Sequence, residues 1–248
     1  VVDWLLAGDP AIRWQVRRDL IGAAPRAWRA ERRRVATTGW GRRLLERQLP
    51  DGNWGRGFYR PKWTCTTYTL QLLWQMGLEP QHPGALLACR QYLDRGLGKD
   101  GGINFWAPRR KTSEACVSGM VFGQLSYFRH DDPRIETLLG YILSEQMKDG
   151  GWNCQRPEGA RHSSLHTTLS VLEGLREYVA AGGRRAGAAE SAAARAREFL
   201  LAYRLFKSHT TGRVVAGEMT RFHFPPQWHY DVLRGLDYFQ SVRAPRDA

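Results

Sequence analysis

Cys116 and His166 are the residues of this chain whose types and positions combine most readily into a reactive site. Each stands nine residues before a leucine, Leu125 and Leu175, and Thr64 stands nine before Leu73, so the three share one slot of a repeating pattern with spacings of 52 and 50. If the segments that carry them are equivalent helices of a stacked or closed array, repeat phase brings that slot to the same end of each helix. A thiol and an imidazole then become neighbours, able to hold a metal ion or a substrate. Asp231, next to Tyr230 in the run Trp228-His229-Tyr230-Asp231, is a candidate general acid or base. Its structural alternative is to accept a hydrogen bond from a tyrosine or to pair with Arg234 and fix a helix.

The elements that must position these residues follow from the repeat. Asp51-Gly52, Asp100-Gly101 and Asp149-Gly150 stand 49 residues apart, and two of the copies, Gln48 to Trp54 and Gln146 to Trp152, spell Q-x-x-D-G-x-W. Asp9-Pro10 caps and starts a helix over about 10–21, and a second begins at Pro25 and is ended by Gly39. Apolar periodicity and alanine content predict further helices near 40–48, 64–76, 84–95, 114–128, 134–147, 164–180, 188–206 and 227–240. In the last of these, Trp228 to Asp231 fall in the first turns, after Phe224-Pro225-Pro226. Asp132-Pro133 is an ordinary helix start. No stretch alternates as a strand does, so the expectation is an all-α chain of helical hairpins, each an outer helix, an Asp-Gly loop and an inner helix. Residues 1–39 form an N-terminal extension and 40–248 the repeat domain.

Composition narrows the setting. The 248 residues carry a net charge of +13 and a pI near 10.1, which favours anionic partners in general. The arginines are scattered over outer-helix segments such as Arg29 to Arg34, and there is neither zinc-finger spacing nor an RNA-binding signature, so nucleic acid is not expected. Four cysteines are too few and too widely spaced for a disulfide framework. Reduced thiols in the cytoplasm are the expectation. No apolar run approaches the ~20 residues of a membrane span, nothing at the N-terminus resembles a signal peptide, and neither peripheral membrane contact nor a partner subunit has a signal of its own.

The Q-x-x-D-G-x-W copies resemble the QW motifs of squalene cyclases, and over roughly residues 40–240 the chain is similar to the terpenoid-cyclase and protein-prenyltransferase superfamily. The resemblance implies an α/α toroid, here incomplete or small, because four hairpins are fewer than the six of a complete barrel. The D-x-D-D acid motif of squalene cyclases has no counterpart here, which disfavours acid-initiated cyclisation. The prenyltransferase side of the family holds catalytic zinc with an Asp-x-Cys pair and a later histidine, which implies zinc at Glu114, Cys116 and His166, with glutamate in place of aspartate. Lys111 matches a family lysine that binds diphosphate, while Pro108 stands where the family has arginine and Arg109 and Arg110 lie only nearby. A group of bacterial squalene-cyclase-like or prenyltransferase-like proteins shares segments resembling Ser113 to Cys116, Gly150 to Cys154 and Trp228 to Asp231.

Zinc takes thiolate, imidazole and carboxylate, with three protein ligands when catalytic and four when structural. Cys154 is the fourth candidate, and Cys116, Cys154, His162 and His166 form an alternative closed set. The competing account makes the cysteines small buried hydrophobes and the histidines loop caps. Lys111 and Arg109 can neutralise a diphosphate, and Trp63, Tyr68, Trp74 and Trp228 can line a cavity for an isoprenoid. Two readings remain open. One is an enzyme acting on an isoprenoid or other apolar substrate, with zinc as its cofactor. The other is a non-enzymatic repeat scaffold that binds a lipid, a small ligand or a protein and in which any zinc is structural.

Overall fold

A computed structural model describes residues 1–244, and their regular elements are all helices, with no strand among them and only two isolated bridges, Leu97 to Ile103 and Lys207 to Val214. No helix among them is long and apolar enough to cross a membrane. The chain forms two compact units, one of residues 1–91 with 128–130 and the other of 92–127 with 131–248.

The first unit holds α1 (Val2–Leu6), α2 (Pro10–Gln15), α3 (Pro25–Arg33), α4 (Gly39–Leu45), α5 (Thr66–Met76) and most of α6 (Pro83–Gly96). Asp9 starts α2 as expected, its carboxylate accepting the Ala11 amide at 2.9 Å. Gly39 begins α4 rather than ending the helix before it. Ala11, Trp14 and Val35 form a small core with Trp28 and Met76 against it, and the Trp14 indole donates to the Met76 carbonyl at 2.8 Å. Gly77 closes α5 at φ +86°, and a Cβ there would lie 2.5 Å from the Trp14 ring. Glycine alone satisfies both the left-handed backbone and the close approach.

The second unit holds α7 (Ala115–Tyr127), α8 (Arg134–Ser144), α9 (Leu165–Ala180), α10 (Ala186–Ala202) and α11 (Val232–Ser241). Asp132 accepts the Arg134 amide at 2.9 Å at the start of α8. Helix α7 is buried on all sides from Val117 to Ser126, as an apolar helix without a polar face must be. It packs on α9 with little between the backbones: a Cβ on Gly119 would sit 2.8 Å from the Val171 Cα, and one on Gly174 would sit 2.6 Å from the Gly119 carbonyl. Backbones this close leave no room for a side chain. Gly119→Val is expected to destabilise this unit by about 1–3 kcal/mol or more through overpacking, measured as a lowered denaturant midpoint. An unchanged midpoint would show that α7 and α9 are less tightly apposed.

The Asp-Gly loops make recurring bonds. Gln48 donates to the carbonyls of Gly52 (2.8 Å) and Gly84 (2.7 Å), and Gln146 to those of Gly150 (2.7 Å) and Ala192 (2.9 Å). The buried indoles of Trp54 and Trp152 donate to Leu44 and Ile142, both at 2.7 Å. The glutamine thus bridges forward to α6 or α10, while the tryptophan bonds back to α4 or α8, a division of labour the motif does not reveal. The amides of Trp54, Ile103 and Trp152 donate to the hydroxyls of Thr66, Ser118 and Thr168 at 2.9–3.0 Å, two residues after Thr64, Cys116 and His166 in each copy.

Candidate functional site

Cys116 is the second residue of α7, and Cys154 lies in the loop that leads toward α9. Two backbone anchors fix Cys154 near the start of α9: the Trp152 amide on Thr168, and its own amide on the Thr167 hydroxyl at 3.3 Å. Cys116 donates its S–H to Glu114 Oε2 at 3.9 Å, and the thiols of Cys116 and Cys154 are close enough to influence each other's protons. Both cysteines are reduced and partly exposed.

That geometry divides the protons unevenly. The hydrogen bond from Cys116 draws the Cys154 thiol down from 9.0 to about 7, with the Thr167 hydroxyl helping and burial opposing. Cys116 is pushed well above its ordinary value by the same bond, by burial and by the charge of Cys154. The two thiols are coupled, and Cys154 is the one that gives up its proton more readily.

Glu114 is raised by burial, against the pull of Arg110, whose guanidinium pairs with both Glu114 and Glu158. The loop behind it is held by Asn104, whose amide donates to the Arg110 carbonyl at 2.8 Å, and by Asp100, which accepts the Ser113 amide at 2.8 Å. Arg109 and Lys111 are exposed on either side of Arg110.

A second cluster surrounds His166, Tyr230 and Asp231. The residues before α11 are not helical, and the expected start near 227 moves to Val232. Asp231 is the cap: Oδ1 accepts the Arg234 amide and Oδ2 the His223 amide, both at 2.9 Å. It is 2% exposed. The buried Tyr230 donates its hydroxyl to the Leu205 carbonyl at 2.5 Å, and burial raises its pKa. The Tyr230 amide donates to His166 Nδ1 at 2.9 Å. Trp228 stacks on His229 with centroids 4.1 Å apart and lies 5.4 Å from the His166 ring.

His166 decides the fit to zinc. Burial holds its pKa below the ordinary value, so the ring is neutral at pH 7. A neutral imidazole has one lone pair, and the Tyr230 amide occupies it, which places the proton on Nε2. Among the described residues no group of three or more His, Cys, Asp or Glu side chains is arranged to hold a metal ion. The four expected ligands therefore divide into Glu114, Cys116 and Cys154, which are neighbours, and His166, which is committed to Tyr230. In this arrangement the set does not fit a zinc centre. His162 is exposed. Trp63 belongs to the first unit, 44% exposed, with its ring 5.1 Å from Tyr68.

Sequence reasoning passed over His223, whose Nδ1 lies 3.3 Å from Asp231 Oδ2, and Thr167, which steadies Cys154. Neither has a local signal. Comparison of the chain with family models, curated proteins and solved structures finds no match.

Proposed function

We propose that the chain is an enzyme of the terpenoid-cyclase and prenyltransferase type, built on α/α hairpins, that acts on an apolar small molecule with an anionic leaving group. An isoprenoid diphosphate is the archetype. The observation that carries this reading is the pair of free, partly exposed thiols Cys116, in the first turn of α7, and Cys154, held by the Thr167 hydroxyl, with the Cys154 thiol drawn down to about 7 by its neighbour. The Cys154 sulfur attacks the carbon that bears the leaving group; a C–S bond forms as the C–O bond breaks, and the electron pair departs with the diphosphate. Arg109 and Lys111 neutralise that charge.

Incubation with geranyl diphosphate in the absence of an acceptor is expected to give one alkyl adduct on Cys154 and one equivalent of inorganic diphosphate. Lys111→Ala should weaken binding of the diphosphate in calorimetry. Absence of both adduct and diphosphate release, while Cys154 remains open to iodoacetamide, would overturn the reading.

A second reading is a scaffold that binds a ligand or a protein without a reaction. It is favoured by the commitment of Tyr230, Asp231 and His166 to backbone hydrogen bonds.

A further inference from the structure

The segment between α10 and α11 carries a histidine whose surroundings differ from those of the other imidazoles. Asp231 Oδ2 faces His223 twice, accepting its backbone amide at 2.9 Å and lying 3.3 Å from Nδ1. A buried carboxylate can only accept, so it holds the proton on Nδ1 and leaves the Nε2 lone pair free of that duty. The side chain of Asp231 is 3% exposed and that of His223 is 27% exposed. One end of the imidazole is therefore anchored in the interior while part of the ring remains open to solvent. His229 stacks on the ring, centroids 4.6 Å apart and planes 15° apart, and fixes its plane. Asp231 itself is held by the Arg234 amide, and Arg234 by Glu173.

His166 is the instructive contrast. Its Nδ1 accepts from a backbone amide, so Nε2 is protonated and can only donate. His223 has the opposite polarity, with a donor toward the protein and an acceptor outward. That is the arrangement a general base requires: a fixed tautomer, a fixed plane and a buried carboxylate to stabilise the imidazolium that forms. Phe222 and Phe224, the residues on either side of His223, are 68% and 88% exposed. Large exposed aromatics on both sides of a base offer an apolar ligand a surface.

We propose that His223 is a general base, positioned by Asp231, that activates water against an ester of an apolar acid lying across Phe222 and Phe224. This is a site separate from the Cys116–Cys154 pair and does not rest on it. Nε2 takes a proton from water as the oxygen forms a bond to the acyl carbon. The intermediate collapses by breaking the C–O bond to the alcohol, which leaves with the electron pair, and the imidazolium returns its proton to the alkoxide or to solvent. Asp231 touches no reacting atom and is a positioning residue.

The test is hydrolysis of p-nitrophenyl butyrate by the full chain. The expected result is a rate above that of an equal concentration of free imidazole, with a normal solvent isotope effect on kcat. His223→Gln should lower kcat by about 100-fold or more with KM little changed, because glutamine keeps the bulk but has no base. Phe224→Ala should raise KM, more for longer acyl chains, and leave kcat nearly alone. To separate chemistry from folding, His223→Ala should regain rate on addition of imidazole while its far-ultraviolet circular dichroism matches the parent. A parent rate no higher than free imidazole, or a His223→Gln rate equal to the parent, would overturn the assignment.

Discussion

Glu173→Ala is expected to destabilise the second unit by about 3 kcal/mol or more, the cost of leaving a buried charge without its partner. Arg234 on α11 is the charge in question, its side chain 6% exposed. It binds Glu173 of α9 through both ends of the fork, Nε to Oε1 at 2.9 Å and Nη2 to Oε2 at 2.6 Å. Its remaining hydrogen bond, to the His229 carbonyl at 2.7 Å, holds the turn before Asp231. Without Glu173 the guanidinium keeps its desolvation cost and loses its counter-charge. Glu173 is itself 18% exposed, so water can partly replace it, which favours the lower end of the 3–5 kcal/mol range.

The comparison is Glu46→Ala, which removes the i,i+4 partner of Arg42 from a pair whose side chains are 59% and 55% exposed. Screening and side-chain entropy hold that change within about 0.5 kcal/mol. Urea denaturation of both variants decides the matter: equal midpoints would show that the α9–α11 pair is solvated rather than buried. The double variant Glu173→Leu with Arg234→Met should recover most of the loss, since replacing both charges removes the penalty along with the attraction.

The same region shows how far the sequence could be read. Asp9 caps its helix as its place before Pro10 implied, because an N-cap is a bond to an amide two or three residues away; at α8 the cap position falls on Pro133, one residue after Asp132, whose carboxylate still accepts the Arg134 amide. Asp231 has the same signature with Arg234, yet Pro225-Pro226 gave a competing start signal five residues earlier, and tertiary bonds decided between them. The leucine register puts Thr64, Cys116 and His166 in one slot, and the hydroxyls two residues after each, on Thr66, Ser118 and Thr168, accept equivalent bonds. It could not say which way the His166 ring faces. That depends on the Tyr230 amide, 64 residues away, and no periodicity encodes a contact between a loop and a ring nitrogen. For the same reason the thiol pair was visible only as proximity, while the sharing of its proton depends on Thr167, Glu114 and local burial.

Alkylation of Cys154 by iodoacetamide is expected to follow an apparent pKa of about 7. The reactive species is the thiolate, so the sign is fixed: the rate rises with pH, from about a tenth of its plateau at pH 6 to about half at pH 7 and nine tenths at pH 8. Cys89, fully buried and pushed upward by that burial, should stay unlabelled across this range, and peptide mapping identifies the modified sulfur. Cys116→Ala removes the bond that depresses Cys154, and the midpoint should move up toward the ordinary value of 9.0. At pH 7 the thiolate fraction would fall by up to about 50-fold for a full two-unit return. A more basic thiolate is also more nucleophilic, with a Brønsted slope of about 0.4–0.5, which restores roughly 8-fold. The net expectation is a fall of about 6-fold at pH 7 and a rate above the parent's at pH 10. This crossing is the diagnostic feature, because a variant that merely buried or exposed Cys154 would shift the rate in one direction at every pH. A parent midpoint near 9, or parallel profiles for parent and variant, would show that the two thiols do not share a proton.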